Sequence, residues 1–422
     1  MILALTLFIV MYVILLALPR YRWITALIFA AIFVVSGILP VSQVFGAVDW
    51  NVILMLTGTM IIVELLTESR MPAYLAEMLL KKVPNVQWAV VSLSVFAGLI
   101  SAFVDNVATV LMVAPIGLAV AKQLKINPVP IIISIAVSSN LQGAATLVGD
   151  TTSIMLGGYA NMSFNDFFWF HGRPGIFLSV ELGALATLPV LMWLFRRHKE
   201  PIKTEVRTEI EDYVPSGILI GMLASLIIAS QFENKPEVTN GLICMAFAAF
   251  GLIYEKIRSG SGFSLKAVLK TVDYKTLLLL TGLFVVISGI TEAGVIDAIA
   301  SVFVTIGGHS PFMMYTLIVV VSVVISAFVD NIPYVATMLP VVQGIASSMG
   351  IEPYALYYGL LIGATLGGNL TPIGASSNIA AIGILYRHGF TVSAIDFLRI
   401  GVPFTLTAVL VGYISNWLVW GL

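Results

Sequence analysis

The sequence predicts an all-α polytopic membrane protein, and its composition and its apolar segments are the observations that predict it. Of the 422 residues, 59% are hydrophobic and 10% are charged, whereas soluble globular chains are roughly half apolar and about a quarter charged. Long apolar segments alternate with short polar joints, and about 20 mainly apolar residues make one membrane-spanning helix. The net charge of -1 argues against a polybasic surface, so no nucleic-acid partner is expected.

The apolar segments predict about ten spans, near residues 2–18, 23–40, 50–66, 129–157, 174–195, 215–231, 239–255, 276–291, 354–384 and 400–420. The first segment lacks a basic start and a small-residue cleavage site, so we interpret it as a span rather than as a signal peptide. The single cysteine, Cys244, excludes an internal disulfide and a multi-thiolate metal site.

An internal repeat predicts how the chain is organised. Residues 101–106, which read Ser-Ala-Phe-Val-Asp-Asn, recur unchanged at 326–331, an offset of 326 − 101 = 225. A Val-Asp-aromatic pattern at 48–50 recurs at 272–274, an offset of 272 − 48 = 224. We therefore predict four regions, which are two N-terminal transmembrane helices (1–47), transport repeat 1 (48–195), a cytoplasmic loop with a connecting helix pair (196–271) and transport repeat 2 (272–422).

The positions of Lys and Arg predict the orientation of the repeats, because short cytoplasmic loops are enriched in basic residues. Basic joints lie near 20–22, 81–82, 122–125, 196–207, 256–275 and 387–399, whereas 41–50, 232–238, 291–310, 347–353 and the tail have almost none. Repeat 1 then runs from outside to inside and repeat 2 from inside to outside, so the repeats are predicted to be inverted. The chain is expected in the cell (inner) membrane, with both termini outside.

Four segments are too long for single straight crossings. Segments 88–121 and 311–346 would each run about 50 Å as a helix through a hydrocarbon core about 30 Å thick. Each has like flanks at its two ends, which predicts two re-entrant hairpins. Spans 129–157 and 354–384 are interrupted by small and polar residues, which predicts two broken helices. Inverted repeats with broken helices are typical of secondary transporters, whose binding site lies near the membrane midplane.

The hairpin tips and the interruptions together supply the candidate site. Charged side chains deep in a membrane are costly, and they commonly mark a substrate or ion pathway; the alternative is that Asp and Asn only cap a half-helix. The candidate substrate- or ion-binding residues are Asp105, Asn106, Asn140, Thr146, Asp150, Thr151, Asp330, Asn331, Asn369, Thr371, Ser376, Ser377 and Asn378. Glu64 and Glu181 are candidate proton carriers, or else face a polar crevice. No catalytic residue and no metal site is expected.

The charges of these residues limit the substrate. No Lys or Arg lies in the hairpins or broken helices, so clustered Asp105, Asp150 and Asp330 favour a cation, a proton or a neutral hydroxide over a dianion. We expect proton-coupled efflux of arsenite or antimonite. The alternatives are a sodium/proton antiporter, a sodium-coupled dicarboxylate symporter and a passive ion channel. Coupling is expected to involve Asp105 and Asp330, which have no basic partner nearby in the sequence.

These motifs resemble those of the ion transporter superfamily, which includes ArsB-type arsenite exporters, NhaD-type sodium/proton antiporters, the melanosomal P protein and the plant silicon exporters. The tips at 105–106 and 330–333, with the stretch 367–378, are most similar to the P-protein branch, and the resemblance covers nearly the whole chain from about residue 48.

The resemblance implies an elevator-type secondary transporter in the lipid bilayer, commonly a homodimer, with no cofactor beyond a coupling proton or sodium ion. For an arsenite exporter it also implies a soluble ATPase partner. One departure concerns residues 151–153. The family pattern continues after its Gly-Asp with Pro-Pro-Asn, whereas Thr151-Thr152-Ser153 stands here, so ion binding at the first broken helix is expected to differ.

Overall fold

The chain folds almost entirely into helices. A computed structural model describes residues 1–202, 208–232, 234–260, 264–308 and 310–421, so part of the basic joint predicted at 196–207 lies outside the described residues. The first ten helices are α1 (Ile2–Ala17), α2 (Arg22–Val35), α3 (Val41–Ala47), α4 (Trp50–Glu68), α5 (Met71–Leu80), α6 (Val86–Ser101), α7 (Asn106–Leu124), α8 (Val129–Gly143), α9 (Thr151–Tyr159) and α10 (Ile176–Leu194). The next ten are α11 (Val214–Ala229), α12 (Thr239–Ser259), α13 (Leu265–Thr271), α14 (Tyr274–Glu292), α15 (Val295–Gly307), α16 (Pro311–Ser326), α17 (Asn331–Met349), α18 (Tyr354–Leu361), α19 (Ser376–Arg387) and α20 (Ala394–Trp420). Two short strands, β1 (Trp169–Phe170) and β2 (Arg173–Pro174), pair antiparallel before α10.

Many of these helices have the length and composition of membrane spans. Within the described ranges, seven single helices qualify, namely α4, α7, α10, α12, α14, α17 and α20. The number rises to nine if each of two bent pairs counts as one span: α1 with α2, bent by 116°, and α15 with α16, bent by 113°. The all-α polytopic fold predicted from the composition is confirmed. The predicted spans 2–18 and 23–40 correspond to α1 and α2, which have 16 and 14 residues and meet at a sharp bend.

The same order of helices occurs twice, once in α1–α10 and once in α11–α20. α4 packs against α12, and its counterpart α14 packs against α2. Glycines at equivalent positions allow both close approaches. A Cβ atom on Gly58 would lie 2.5 Å from the carbonyl carbon of Cys244, and one on Gly282 would lie 2.7 Å from that of Ala26. The two halves therefore interlock through α2 and α12. The division at 47, 195 and 271 and the inverted orientation stay predictions.

The segments predicted as hairpins and broken helices are interrupted in the structure. The hairpins are α6 with α7, which turn at 102–105, and α16 with α17, which turn at 327–330. The first broken helix unwinds between α8 and α9. The second is π-helical at 362–366 and turns through 368–370 before α19 begins. Because α8 is buried along almost its whole length, the broken helices lie at the centre with the hairpins against them.

Candidate functional site

The two hairpin carboxylates each cap the helix that follows them. Asp105 accepts hydrogen bonds from the backbone N–H groups of Val107 and Ala108 at 3.0 and 3.1 Å. Asp330 accepts one from the N–H of Ile332 at 3.2 Å. Such caps satisfy free donors at a helix start. A carboxylate has about four lone-pair sites, so each of these groups can cap its helix and still accept another ligand.

A cavity of about 220 Å³ lies between the two hairpin tips. The predicted site residues that line it are Glu64, Asp105, Asn106, Asp150, Thr151, Asn331 and Ser376. At about 30 Å³ per water molecule, the cavity has room for roughly seven waters, or for a small solute or hydrated ion. The structure therefore brings both hairpins and the first residues of α9 and α19 to one site, which we call the central cavity.

Three further polar residues of this cavity were missed by the sequence reasoning, and one of them is Thr271, the last residue of α13. Asp273 and Thr276, at the start of α14, line the cavity opposite the hairpins, and the Thr276 hydroxyl donates to the Asp273 carboxylate at 2.7 Å. A usable signal was present, since Asp273 and Asp49 form the repeated Val-Asp-aromatic pattern. The repeat marked these positions, but their place in the site depended on how α14 packs.

The lining of the central cavity is acidic. It contains Glu64, Asp105, Asp150 and Asp273, and no Lys or Arg occurs among the described residues that form it. Like charges in a partly enclosed space repel one another more strongly than they do in bulk water. A bound cation or proton would relieve this repulsion, so the arrangement has the chemistry of a cation or proton site.

Asp150 connects the first broken helix to the second hairpin. Its carboxylate accepts hydrogen bonds from the Thr151 N–H at 2.8 Å, the Thr152 hydroxyl at 3.0 Å and the Asn331 amide at 3.4 Å. Thr152 lies in turn 3.0 Å from the hydroxyl of Thr365 in the second broken helix. A carboxylate of one half is thus held by polar groups of the other.

Asn140 and Asn369 join the two broken helices directly. The Asn140 amide donates to the Asn369 side-chain oxygen at 3.1 Å, and the Asn369 amide donates to the Val137 carbonyl at 2.8 Å. Asn140 also accepts a hydrogen bond from the Asn106 amide at 3.0 Å. Both asparagines lie below the cavity lining and are fully buried, so they fix the geometry of the tip residue Asn106.

Two predicted site residues instead hold the interruptions against the hairpins. The Thr146 hydroxyl donates to the Ala102 carbonyl, and the Thr371 hydroxyl donates to the Ala327 carbonyl. These are equivalent positions in the two halves, since 371 − 146 = 225 and 327 − 102 = 225. Neither threonine lines the central cavity. In this structure both hydroxyl groups donate their protons to backbone carbonyl oxygens.

Asn378 also bonds the backbone. Its counterpart in the first half is Ser153, which stands where the family pattern has an asparagine, and this serine makes an equivalent contact. The Asn378 amide donates to the Gly368 carbonyl at 3.2 Å, and Ser153, its equivalent in the first half, donates to the Gly143 carbonyl at 3.1 Å. The serine therefore keeps a contact that the asparagine makes. Within the described residues, the side-chain oxygens of Asn378 and Ser377 are buried without a hydrogen-bond partner.

Asp330 has a basic partner that the sequence did not indicate. Arg22 Nη1 lies 3.0 Å from Asp330 Oδ2, and the hydroxyl of Ser376 lies 3.3 Å from the same oxygen. No basic residue lies near Asp330 in the sequence, but α2, which is remote in sequence, begins with Arg22 beside the hairpin tip. Asp105 forms no comparable pair with a Lys or Arg in the described part of the chain.

The two candidate proton carriers lie in different places. Glu64 lines the central cavity. Glu181 lies in a separate cavity between α6, α8 and α10, where its carboxylate accepts a hydrogen bond from the Gln142 amide at 3.1 Å.

A polytopic helical fold with paired hairpins, broken helices and a polar central cavity defines a secondary membrane transporter. The chain belongs to the CitMHS family, described as citrate transporter, whose sequence profile matches residues 7–363. This membership, together with the relatives described next, confirms the resemblance to the ion transporter superfamily. The family and the relatives are transporters, so the chain is not an enzyme.

Relatives support this assignment along the whole chain. An uncharacterized transporter of Mycobacterium tuberculosis, Rv2685, is 32% identical over 427 residues, which cover 99% of this chain and 98% of that protein. The human P protein is 25% identical over 464 residues, which cover 91% of this chain and 55% of that protein.

Solved transporter structures share the fold at low sequence identity. The Alcanivorax borkumensis YdaH transporter superposes with a TM-score of 0.62 at 14% identity, covering 90% of this chain and 87% of that one. Neisseria gonorrhoeae MtrF, described with a class of antimetabolite efflux pumps, gives 0.63 at 14% identity, covering 92% and 83%.

Proposed function

We propose that this transporter is driven by a proton or sodium gradient and carries a small inorganic species, with proton-coupled efflux of arsenite or antimonite as the leading assignment. The acidic lining of the central cavity carries the proposal. Four carboxylates without a basic side chain among the described lining residues repel a free polyanion. A neutral hydroxide such as arsenous acid can be bound by amide and hydroxyl groups, which Asn106, Asn331 and Ser376 supply.

Elevator-type alternating access is supported by a difference between the two halves. Asp49 at the start of α4 packs against α9, since a Cβ atom on Gly158 would lie 2.3 Å from its Oδ2. A Cβ atom on the equivalent Gly383 of α19 would meet no described atom within 4 Å, and Asp273 lines the central cavity instead. Equivalent contacts are closed in one half and open in the other, as expected for one state of a carrier built from two related repeats.

Two further substrates follow from particular observations. The acidic lining suits sodium as well as protons, so sodium/proton exchange is the second candidate. The family description names citrate, which would enter this cavity only together with cations that neutralise it. Symport of a carboxylate together with such cations, for example a sodium-coupled dicarboxylate, is therefore the third candidate.

The test is transport by the purified chain in proteoliposomes with an imposed proton or sodium gradient. We expect arsenite and antimonite to accumulate against their own gradients when the proton gradient is present. Asp105→Asn should abolish this accumulation, while Asp297→Asn, the same change at an exposed position of α15 outside the cavity, should leave it intact. Movement of sodium or of magnesium citrate without arsenite would overturn the leading substrate. Flux that never runs uphill would indicate a channel.

The assembly and its location are further parts of the proposal. We expect a homodimer in the inner membrane and, if arsenite is exported, a soluble ATPase that associates with the cytoplasmic side. Light scattering of the detergent-solubilised protein measures the first. Co-purification of an ATPase whose activity rises with arsenite measures the second.

A further inference from the structure

A second cavity lies between α6, α8 and α10, with Phe404 of α20 at its wall, apart from the central cavity. Its volume is about 130 Å³, roughly four water volumes. Polar side chains from three helices line it, namely Ser94 of α6, Ser138 and Gln142 of α8, and Glu181 and Thr187 of α10. The Thr187 hydroxyl already donates to the Ala184 carbonyl at 2.7 Å. The rest of the lining is mostly apolar, and Glu181 is the single titratable side chain among the described residues there. The cavity therefore concentrates one carboxylate and several neutral oxygens.

Two of these oxygens are buried without a partner. Ser94 is 0% exposed and Gln142 is 5% exposed, yet Ser94 Oγ and Gln142 Oε1 form no hydrogen bond within the described residues. The Gln142 amide nitrogen donates to the Glu181 carboxylate at 3.1 Å, which fixes the amide and leaves its oxygen as an unused acceptor. Buried polar groups nearly always have partners, so this set is incomplete without a positively charged or donating ligand.

The second half builds the same helix pair without any of these polar groups. At the offset of 225, Ser94, Gly98, Ser138 and Gln142 correspond to Val319, Val323, Gly363 and Gly367. In the first half Gly98 lies against Gln142, whereas in the second half Val323 lies against Gly367, so the larger residue of this pair is on the opposite helix.

This exchange closes the space in the second half. A Cβ atom on Gly363 would lie 2.7 Å from the Val319 carbonyl oxygen, so α16 and the second broken helix touch backbone to backbone. In the first half the glycine is on the hairpin, and a Cβ atom on Gly98 would lie 3.0 Å from Gln142 Cγ. Since the second half forms this helix pair with apolar residues at the four equivalent positions, the polar set of the first half is not required by packing.

We propose that Ser94, Ser138, Gln142 and Glu181 form a binding site for one monovalent cation, either sodium or a proton carried by Glu181. One carboxylate balances one positive charge, and two hydroxyls with one amide carbonyl are the neutral oxygen ligands that small cations accept. A divalent ion would leave an uncompensated charge in a mostly apolar cavity, which is costly. Binding at this site does not depend on the proposed function, which enters only if the bound cation also drives transport.

The site is placed to influence the central cavity. Gln142 immediately precedes Gly143, the last residue of α8, and the unwound segment after it leads to Asp150, which lines the central cavity. One residue therefore separates Gln142 from the unwound segment, and a cation bound to the Gln142 side chain lies close to that segment. Occupancy of the second cavity can order the interruption without contacting the substrate.

The experiment measures cation binding to the purified full-length chain in detergent. Sodium replaces choline at constant ionic strength, and saturable binding is followed by radioactive sodium and by thermal unfolding. We expect binding to be unchanged in Asp297→Asn, at an exposed position of α15 outside both cavities, and to weaken at least tenfold in Glu181→Gln. Ser94→Ala, which removes a single hydroxyl, should weaken it severalfold and serves as the mild variant if Glu181→Gln unfolds.

The protonated form of Glu181 has its own measurement. Infrared difference spectra between acidic and alkaline buffer should contain a carboxylic acid band that Glu181→Gln removes and Asp105→Asn retains. The proposal is overturned if folded Glu181→Gln and Ser94→Ala bind sodium as the unsubstituted chain does and the Glu181 band is missing. Because binding is measured without transport, a failure of the proteoliposome assay would contradict the proposed function alone.

Discussion

Arg22 Nη1 lies 3.0 Å from Asp330 Oδ2, and this ion pair joins the start of α2 to the tip of the second hairpin. The two side chains are only 20% and 11% exposed. Asp105, at the same position of the first hairpin, has no Lys or Arg partner among the described residues and faces the central cavity. Hairpins with six identical residues at their tips therefore differ electrostatically: one carboxylate is neutralised by the protein and the other is open to a ligand.

The first prediction concerns the stability of this pair. Arg22→Gln leaves Asp330 unpaired in a poorly solvated place, and breaking a buried pair costs about 3–5 kcal/mol; we expect the lower end because some exposure remains. The double variant Arg22→Gln with Asp330→Asn removes both charges and should recover most of the loss. Denaturation in detergent measures both. A double variant no more stable than Arg22→Gln alone would show that the pair contributes no electrostatic energy.

The second prediction concerns which of the two hairpin-tip carboxylates, Asp105 or Asp330, is needed for transport. Asp105→Asn should lower the rate of gradient-driven transport by at least about tenfold, which equals about 1.4 kcal/mol, because it removes an unbalanced carboxylate from the cavity. The double variant Arg22→Gln with Asp330→Asn leaves the net charge unchanged and should retain most of the rate. Initial rates in proteoliposomes decide between them. If Asp105→Asn transports as fast as the unsubstituted chain, the carboxylate is only a helix cap.

The interruptions and the hairpin tips could be predicted because their signals are local and occur twice. The repeated Asp-Asn pairs mark the tips, and of these residues Asp105, Asn106 and Asn331 line the central cavity. The pairing of Arg22 with Asp330 could not be predicted, because 308 residues separate them and their approach depends on how α2 packs against the second half. Sequence motifs locate the parts of such a site better than they locate its counter-charges.

The role of the threonine hydroxyl groups could not be predicted from the sequence either. A threonine in an unwound segment can bind a ligand or the backbone, and the sequence gives no means to choose between the two. In the structure Thr151 lines the cavity, whereas Thr146 and Thr371 bond hairpin carbonyls. The choice is set by the close contact between interruption and hairpin, which is a tertiary property.

The third prediction tests that contact. A Cβ atom on Gly149 would lie 2.9 Å from the Ala102 carbonyl oxygen, and one on Gly374 would lie 2.9 Å from that of Ala327. Since these are backbone atoms, Gly149→Ala and Gly374→Ala must each separate the interruption from the hairpin, at a cost of about 1–3 kcal/mol. Thermal unfolding in detergent and transport rates should both fall.

The control for these substitutions is Gly383→Ala in α19. Apart from the neighbouring backbone of α19 itself, no described atom lies within 4 Å of the added Cβ atom, and alanine is favoured over glycine in a helix by about 1 kcal/mol. This variant should therefore be neutral or slightly stabilised. Equal destabilisation of all three alanine variants would mean that the measured effect is unrelated to the hairpin contact.

The fourth prediction concerns the inverted orientation. Gly46 and Lys270 are exposed and lie at equivalent positions before α4 and α14, since 270 − 46 = 224. Basic residues surround only the second, so inverted repeats place Gly46→Cys outside and Lys270→Cys in the cytoplasm. The variants are made in a Cys244→Ala background, because Cys244 is the single cysteine. A membrane-impermeant maleimide should label Gly46→Cys in intact cells and Lys270→Cys only after permeabilisation.

A third position makes the labelling experiment independent of differences in reactivity. Glu292 is exposed at the end of α14, a helix of 19 residues with the composition of a span, so it must lie on the opposite side of the membrane from Lys270. Glu292→Cys should therefore be labelled in intact cells, like Gly46→Cys. Labelling of Gly46→Cys and Lys270→Cys from one side, with Glu292→Cys on the other, would mean that the repeats are parallel. Parallel repeats would remove the symmetry argument for alternating access, because equivalent contacts would then face the same compartment.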